Sequence, residues 1–181
     1  METGAAHGGF IMAFRMLGLL AVGVLVCAFA ASGPRHKAMT LVAGGTEVRT
    51  GEWVPGQGMI EPGAKIRGWA APYLDTLVGP AGEYASGAGP VTMSCNLDQS
   101  LTGPCWGTFG FQNAKGTWVG TWQGTFNFVT LAGSYHAVGR GHGGLSGLVL
   151  ENDTVFPGIA FAVDGVPAGY VYSTVKGVRA N

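Results

Sequence analysis

Rings and polar side chains alternate most regularly over Gly116–Phe128. The even positions of this stretch carry rings and glycines: Trp118, Gly120, Trp122, Gly124, Phe126 and Phe128. The odd positions are mostly polar: Thr117, Val119, Thr121, Gln123, Thr125 and Asn127. Strict alternation is typical of a β-strand with two unlike faces. Because a glycine between two rings lets a strand bend sharply, the pattern predicts one strand of a curved, closed sheet.

Rings and glycines alternate again in Cys105–Phe111, and weaker patterns predict further strands on both sides. These strands are Glu47–Trp53, Ala64–Ala71, Tyr73–Val78, Val91–Leu97, Ser134–Gly141, Leu145–Glu151, Ile159–Asp164 and Tyr170–Val175. After residue 34, no segment keeps an apolar stripe of helical period. About eight or nine short strands predict a β-sandwich or an up-and-down barrel. The glycine bends favour an all-β fold with a closed antiparallel barrel of about eight strands.

An apolar segment without charged residues precedes the predicted strands, at residues 16–34. As a secretory signal, it has Arg15 at its positive end, Met16–Phe29 as its apolar core and an Ala-Phe-Ala cleavage site at residues 28–30. As an uncleaved helical anchor, it is just long enough to cross a bilayer, which takes about 20 residues. In that case the positive residues that follow it would leave the barrel in the cytoplasm.

The predicted organisation therefore has three parts. Residues 1–30 form one hydrophobic helix that is a signal peptide or a membrane anchor, residues 31–45 are a linker, and residues 46–181 are the barrel domain. Cleavage predicts an extracytoplasmic protein, secreted or periplasmic, whereas retention predicts a membrane-anchored one. Only residues 16–34 are expected to contact a membrane.

Composition narrows the classes of partner. The chain has 181 residues, with 10 Lys and Arg against 10 Asp and Glu. Since no positive field is present to attract phosphates, nucleic acid is not expected as a partner. Charged residues make up only 11% of the chain, where about 25% is average. The 33 glycines occur with 10% aromatic residues, which predicts short curved strands and not a disordered chain.

Two cysteines belong to the predicted barrel, Cys95 and Cys105, while Cys27 lies in the apolar N-terminal segment. In an exported protein, two cysteines across a short hairpin-like connection are expected to form a disulfide, with a contribution of about 2–3 kcal/mol. The alternative is a pair of buried free thiols. Their spacing is not that of a zinc site, and we expect no metal and no cofactor.

Three stretches carry a resemblance to a known family. They are CWGTFGF at residues 105–111, GTWVGTWQGTF at residues 116–126 and VGRGHGGLSGL at residues 138–148. This glycine and aromatic pattern resembles that of small bacterial exported barrels of the allene oxide cyclase-like, or lipocalin-like, superfamily. The resemblance implies a closed antiparallel barrel of about eight strands with a central cavity. It implies no cyclase activity, because none of the plant enzyme's functional residues can be placed on this chain.

The main polar cluster lies in residues 134–142. If this segment is a regular strand, then His136, Arg140 and His142 share one face and Tyr135 lies on the other. Two imidazoles beside a guanidinium suit an anionic ligand or an acid and base pair. The alternative is that these three residues form the solvated outside of the barrel while Tyr135 points inward.

The aromatic residues Trp106, Phe109, Trp118, Trp122 and Phe126 complete the candidate ligand-binding set. They line a pocket for an apolar ligand, or they fill the barrel interior. No catalytic residue is identifiable. The scattered carboxylates mostly lie beside predicted turns, where we expect them to be solvated: Glu47, Glu52, Asp75, Asp98, Glu151 and Asp164.

The sequence thus predicts an exported or membrane-tethered barrel without catalytic activity, which binds a small apolar ligand or a protein partner. One alternative is a cyclase or isomerase type of enzyme, which requires a His, Glu, Tyr or Asn that points into an open cavity. The other alternative is an accessory subunit that the N-terminal helix anchors to a membrane complex.

Overall fold

The computed structural model describes residues 38–162 and 166–179, and these residues form a closed antiparallel barrel. The strands are β1 (Ala38–Arg49), β2 (Lys65–Val78), β3 (Gly87–Asn96), β4 (Thr102–Asn113), β5 (Gly116–Asn127), β6 (Ala132–Gly143), β7 (Val149–Pro157) and β8 (Ala168–Arg179). Each strand pairs with the next one, and β1 pairs with β8. The predicted fold class is confirmed, while the predicted N-terminal helix lies outside the described residues.

Strand β5 has the two faces that its sequence predicts. Trp118 is fully buried inside the barrel, whereas the side chains of Thr121 and Gln123 are exposed outside it. A Cβ atom at Gly120 would lie 2.5 Å from the ring of Phe109 and 2.2 Å from a backbone carbonyl oxygen of the next strand. The ring therefore covers bare backbone, and only glycine leaves room for it at this position.

The barrel begins earlier than predicted, because β1 starts at Ala38 and not at residue 46. The Gly44-Gly45 pair suggests a break between linker and strand, but it lies within β1. A Cβ atom at Gly45 would lie only 2.0 Å from the carbonyl oxygen of Thr76 on β2. This glycine therefore marks a close approach of two strands inside the sheet.

Two other predicted strands differ from the observed ones. Instead of a strand at Ile159–Asp164, a short 3-10 helix covers Ile159–Phe161, and residues 163–165 lie outside the described part of the chain. Gly158 precedes this helix with φ 119°, which breaks the extended backbone after β7. The predicted strand at Leu145–Glu151 begins only at Val149, because the residues before it form the turn after β6.

Cys95 on β3 and Cys105 on β4 lie directly opposite each other and form the predicted disulfide. The bond joins the two strands next to their short connection. Antiparallel pairing places the two Cα atoms close enough for a disulfide to form. Once formed, the bond holds Cys95 opposite Cys105 and so fixes the register of this hairpin.

The two ends of the barrel differ. At one end, here called the helix end, the four-residue helix α1 (Gly82–Ala85) follows β2 and packs over the interior. The indole Nε1 of Trp118 donates a hydrogen bond of 2.7 Å to the backbone oxygen of Tyr84. Leu145, Leu150 and Val175 are fully buried and fill the space beneath. Large side chains therefore occupy the interior at this end.

The opposite end, here called the loop end, carries the two longest connections, after β1 and β7, and the shorter ones after β3 and β5. Backbone hydrogen bonds fix these connections to the barrel: Val54 exchanges two with Ala70 of β2. Ile159 donates one to the oxygen of Thr130, which joins the connection after β7 to the one after β5. No helix within residues 38–162 and 166–179 has the length and hydropathy that a membrane crossing needs.

Candidate functional site

The interior of the barrel contains a cavity of about 180 Å³ towards the loop end. Its walls are largely apolar, with side chains from several strands and from the long connection after β1: Ile60, Met93, Phe109, Trp122, Phe126, Phe128 and Phe156. An apolar cavity of about 150 Å³ is enough to bind benzene. The space therefore suits a single ring or a short chain, and it is smaller than a site for a drug-sized ligand, which takes at least about 300 Å³.

One side of this cavity is polar. Glu47 of β1, Tyr135 of β6 and Asn152 of β7 line it, and we call these residues the polar wall. The hydroxyl group of Tyr135 donates a hydrogen bond to the carboxylate of Glu47. Only 2% of Glu47 is exposed. A carboxyl group, a phenol and an amide thus converge on one side of a largely apolar space.

Further polar side chains stand behind the polar wall. Asp75 on β2 lies directly opposite Glu47 on β1, and only 1% of Asp75 is exposed. The amide nitrogen of Asn152 donates to Asp75 Oδ2 over 3.5 Å, and the hydroxyl group of Ser173 donates to Asn152 Oδ1 over 2.7 Å. The network therefore connects strands β1, β2, β6, β7 and β8 across the interior.

The alternation of inward and outward side chains along β1 and β2 places the two carboxyl groups inside the barrel. In β2, Ala71, Tyr73, Asp75 and Leu77 are buried while the residues between them are exposed. Glu47 shares the inward face of β1 with Ala43. The expectation that Glu47 and Asp75 are solvated beside turns is therefore wrong. It treated residues 64–71 and 73–78 as separate strands, whereas β2 continues through Pro72 and keeps one inward face from Ala71 to Leu77.

Burial changes the acidity of this carboxyl pair. It raises the pKa of Glu47 from 4.5 to about 7, although hydrogen bonds from Tyr135 and Asp75 partly counteract it. Burial also raises the pKa of Asp75 well above its ordinary value, and the charge of Glu47 and their mutual hydrogen bond add to this effect. Asp75 Oδ1 is buried and has no hydrogen-bond partner among the described residues. The pair therefore keeps a proton to a higher pH than two isolated carboxyl groups do.

The phenols next to this pair remain protonated. Burial, followed by the charges of Glu47 and Asp75, raises the pKa of Tyr135 well above its ordinary value. Burial and the charge of Glu47 likewise raise the pKa of Tyr73. Because both phenols keep their protons, Tyr135 acts as a hydrogen-bond donor at every pH at which the barrel is expected to be folded.

The structure separates the predicted ligand-binding residues into two groups. Phe109, Trp122 and Phe126 line the cavity, and Trp118 is buried at the helix end beneath it. The other four lie on the outer surface of the barrel: Trp106, His136, Arg140 and His142. These four residues do not line the interior cavity. Trp106 and His136 border a hollow on the outer surface instead, and Trp122 reaches this hollow as well.

Two of the outer residues have partners there. The imidazole Nδ1 of His136 lies 2.8 Å from Asp153 Oδ1, and the guanidinium of Arg67 lies over the ring of Trp106, 5.0 Å from its centroid. Within the described residues, no group of three or more His, Cys, Asp or Glu side chains is placed to hold a metal ion.

One of the two sequence interpretations placed Tyr135 on the inward face, as the structure does, but sequence reasoning missed Glu47, Asn152 and Asp75. The residues of the polar wall and Asp75 lie on four different strands and far apart along the chain, so no local motif joins them. The sequence signal for these positions was their even spacing from a buried alanine of the same strand. Glu47 lies four positions after Ala43, and Tyr135 lies two positions before Ala137, so each shares the inward face.

Comparison with known proteins assigns no family to the chain. A scan against models of protein families found no match, and a search of curated proteins found none either. The geometry of the cavity is therefore the basis for assigning a function to this chain.

Proposed function

We propose that this chain is an exported or membrane-tethered barrel of the allene oxide cyclase-like kind, which binds a small and mostly apolar molecule in the cavity at its loop end. The observation that carries the proposal is an aromatic cavity with a single polar wall. Ligand sites in proteins are commonly apolar spaces in which a few placed polar groups set the orientation. The glycine and aromatic stretches of the sequence and the closed barrel both support the family assignment.

The geometry limits the ligand to a small body with one polar group. The volume suits a single ring or a chain of about six carbons. The Tyr135 hydroxyl group donates its only hydrogen to Glu47. The polar wall therefore offers a ligand the other acceptor sites of the Glu47 carboxylate and the amide of Asn152. A polar group on the ligand that forms a hydrogen bond with one of these buried side chains lowers the free-energy cost of leaving it unpaired.

A cavity-filling variant tests this proposal. Ala137 is 3% exposed and lines the cavity, whereas its neighbour Val138 points outward. Ala137→Leu puts three more carbons into the cavity and is expected to abolish binding of small ring compounds such as phenol and cyclohexanol. Val138→Leu is the matched control and should bind as the wild-type protein does.

Binding is measured by two-dimensional NMR, from the shifts of residues that line the cavity. Circular dichroism checks that each variant is folded, and the smaller change Ala137→Val replaces the leucine variant if that one does not fold. Shifts confined to the outer surface, or equal binding by Ala137→Leu and wild type, would show that the cavity is not the binding site.

A second candidate function is proton transfer on the bound molecule, as in a cyclase or isomerase. One observation favours it: Glu47 faces the cavity with a pKa of about 7, near which a general base works best at neutral pH. In this case the Glu47 carboxylate removes a proton from a carbon of the bound molecule and returns it to another. Tyr135 and Asp75 hold the carboxylate in place through their hydrogen bonds.

A further inference from the structure

Arg49 occupies an unusual position at the end of β1 near the loop end. It lines the cavity together with the polar wall, two residues after Glu47 on the same face of the strand. The side chain is partly buried, and its Nε atom is fully buried without a hydrogen-bond partner among the residues that the structure describes. The ion pairs found in the described chain involve Lys115, His136 and Lys176, but not Arg49.

Within the described part of the chain, the guanidinium of Arg49 lacks a hydrogen-bond acceptor for its buried Nε atom. Arginine stays charged at every pH that proteins meet, and a buried N–H donor without an acceptor is costly. The ring of Trp53 lies 5.9 Å from the guanidinium carbon, which is near the limit for a cation–π contact. Glu47 is close along the strand but forms its hydrogen bonds with Tyr135 and Asp75 instead. None of these contacts satisfies the planar set of N–H donors.

We infer that the ligand of this barrel is a small apolar carboxylate, whose carboxylate group binds the guanidinium of Arg49 while its apolar body occupies the aromatic cavity. This inference rests on the proposed binding function and adds the charge of the ligand. Arginine forms two parallel hydrogen bonds with a carboxylate, and these bonds are stronger in a site that excludes water. A carboxylate at this position supplies the partner that the buried Nε atom lacks.

The apolar walls decide between an amphipathic anion and a simple one. The aromatic side chains Phe126, Phe128 and Phe156 face the same cavity as Arg49. An anion without an apolar body, such as acetate or inorganic phosphate, leaves this surface uncovered and gains only the ionic contact. A monocarboxylate with a chain of about six carbons covers it and fits the available volume.

The test compares probes of equal length that differ in charge. Hexanoate, hexanamide and 1-hexanol are titrated into the purified wild-type protein, with acetate as the anion that lacks a chain. Hexanoate is expected to bind about 10- to 100-fold more tightly than 1-hexanol, since hydrogen bonds between charged groups are the stronger ones. Acetate should bind more weakly than hexanoate. This comparison needs no variant and therefore does not depend on a substitution that fails to fold.

Variants then locate the charge. Arg49→Gln should lower the affinity for hexanoate to that for 1-hexanol, while Arg49→Lys should retain a part of the preference because it keeps the charge but not the planar donor set. Arg140→Gln is the matched control, because Arg140 is exposed on the outer face of β6, and it should bind hexanoate as wild type does.

The outcomes separate this inference from the proposed function. If 1-hexanol binds in the cavity as tightly as hexanoate, or if Arg49→Gln keeps the preference for hexanoate, the inference is wrong and the binding barrel stands. If none of the four probes shifts the NMR signals of residues in the cavity, both are wrong.

Discussion

Replacement of Glu47 with glutamine should make the barrel more stable at neutral and alkaline pH. The pKa of Glu47 is 4.5 in its ordinary state and about 7 in the folded barrel, where burial raises it. Between these two values the folded state binds a proton that the unfolded chain has released. The stability of the wild-type protein should therefore fall as the pH rises from about 4.5 to about 7, and should lose no more through Glu47 above that range.

The size of this loss follows from the difference between the two pKa values. Each pKa unit corresponds to about 1.36 kcal/mol, so the ionisation of Glu47 lowers the free energy of unfolding by about 3 kcal/mol. Asp75 acts in the same direction, since its pKa is also raised in the folded barrel. A typical domain has a free energy of unfolding of only about 5–15 kcal/mol, so the effect is large enough to measure.

The glutamine variant removes the charge but keeps the hydrogen bond. Its amide oxygen still accepts from the Tyr135 hydroxyl group, and Asp75 no longer faces a carboxylate. Glu47→Gln should thus match wild type at about pH 4.5 and exceed its stability by about 3 kcal/mol above pH 7. Urea unfolding, followed by tryptophan fluorescence at a series of pH values, measures both curves.

Glu52→Gln is the control for this experiment, because Glu52 is exposed in the connection after β1. Its curve should follow that of wild type. The reasoning about the buried pair is refuted if the wild-type stability stays constant or increases between about pH 4.5 and pH 7, or if Glu47→Gln keeps the wild-type slope.

Two further predictions concern packing and chemistry. Gly120→Ala should destabilise the barrel by about 3 kcal/mol, because the new methyl group meets the ring of Phe109 at 2.5 Å and the backbone oxygen of Val138 at 2.2 Å. Gly110→Ala has no atom within 4 Å of its methyl group and should change stability by less than about 0.5 kcal/mol, as urea unfolding of both variants will show. If Glu47 transfers protons, the wild-type protein should speed the exchange of the α-hydrogens of cyclohexanone for deuterium in D₂O above the rate in buffer. NMR measures this rate; equal rates with and without protein, or an unchanged rate with Glu47→Gln, would contradict the proton-transfer candidate.

The sequence predicted the architecture because the barrel depends on local patterns. Alternation over Gly116–Phe128 gave β5 its two faces, and the glycines between the rings are required where Phe109 covers Gly120. The two cysteines lie on neighbouring strands, so their pairing also follows from a short stretch of chain. The prediction was wrong where an apolar run lacked alternation, as in residues 159–164, and where glycines inside β1 resembled a break.

The cavity and its chemistry were decided only by the closed fold. Alternation in the sequence indicates that one face of a strand is buried. It does not indicate which residue of another strand will be the hydrogen-bond partner of a Glu, Tyr or Asn on that face, because the closed sheet decides this. Closure places Tyr135 of β6 against Glu47 of β1, which lie 88 positions apart in the chain, and leaves Arg49 beside the same space. Burial, which raises the pKa of Glu47, and the volume left between the rings depend on all eight strands together.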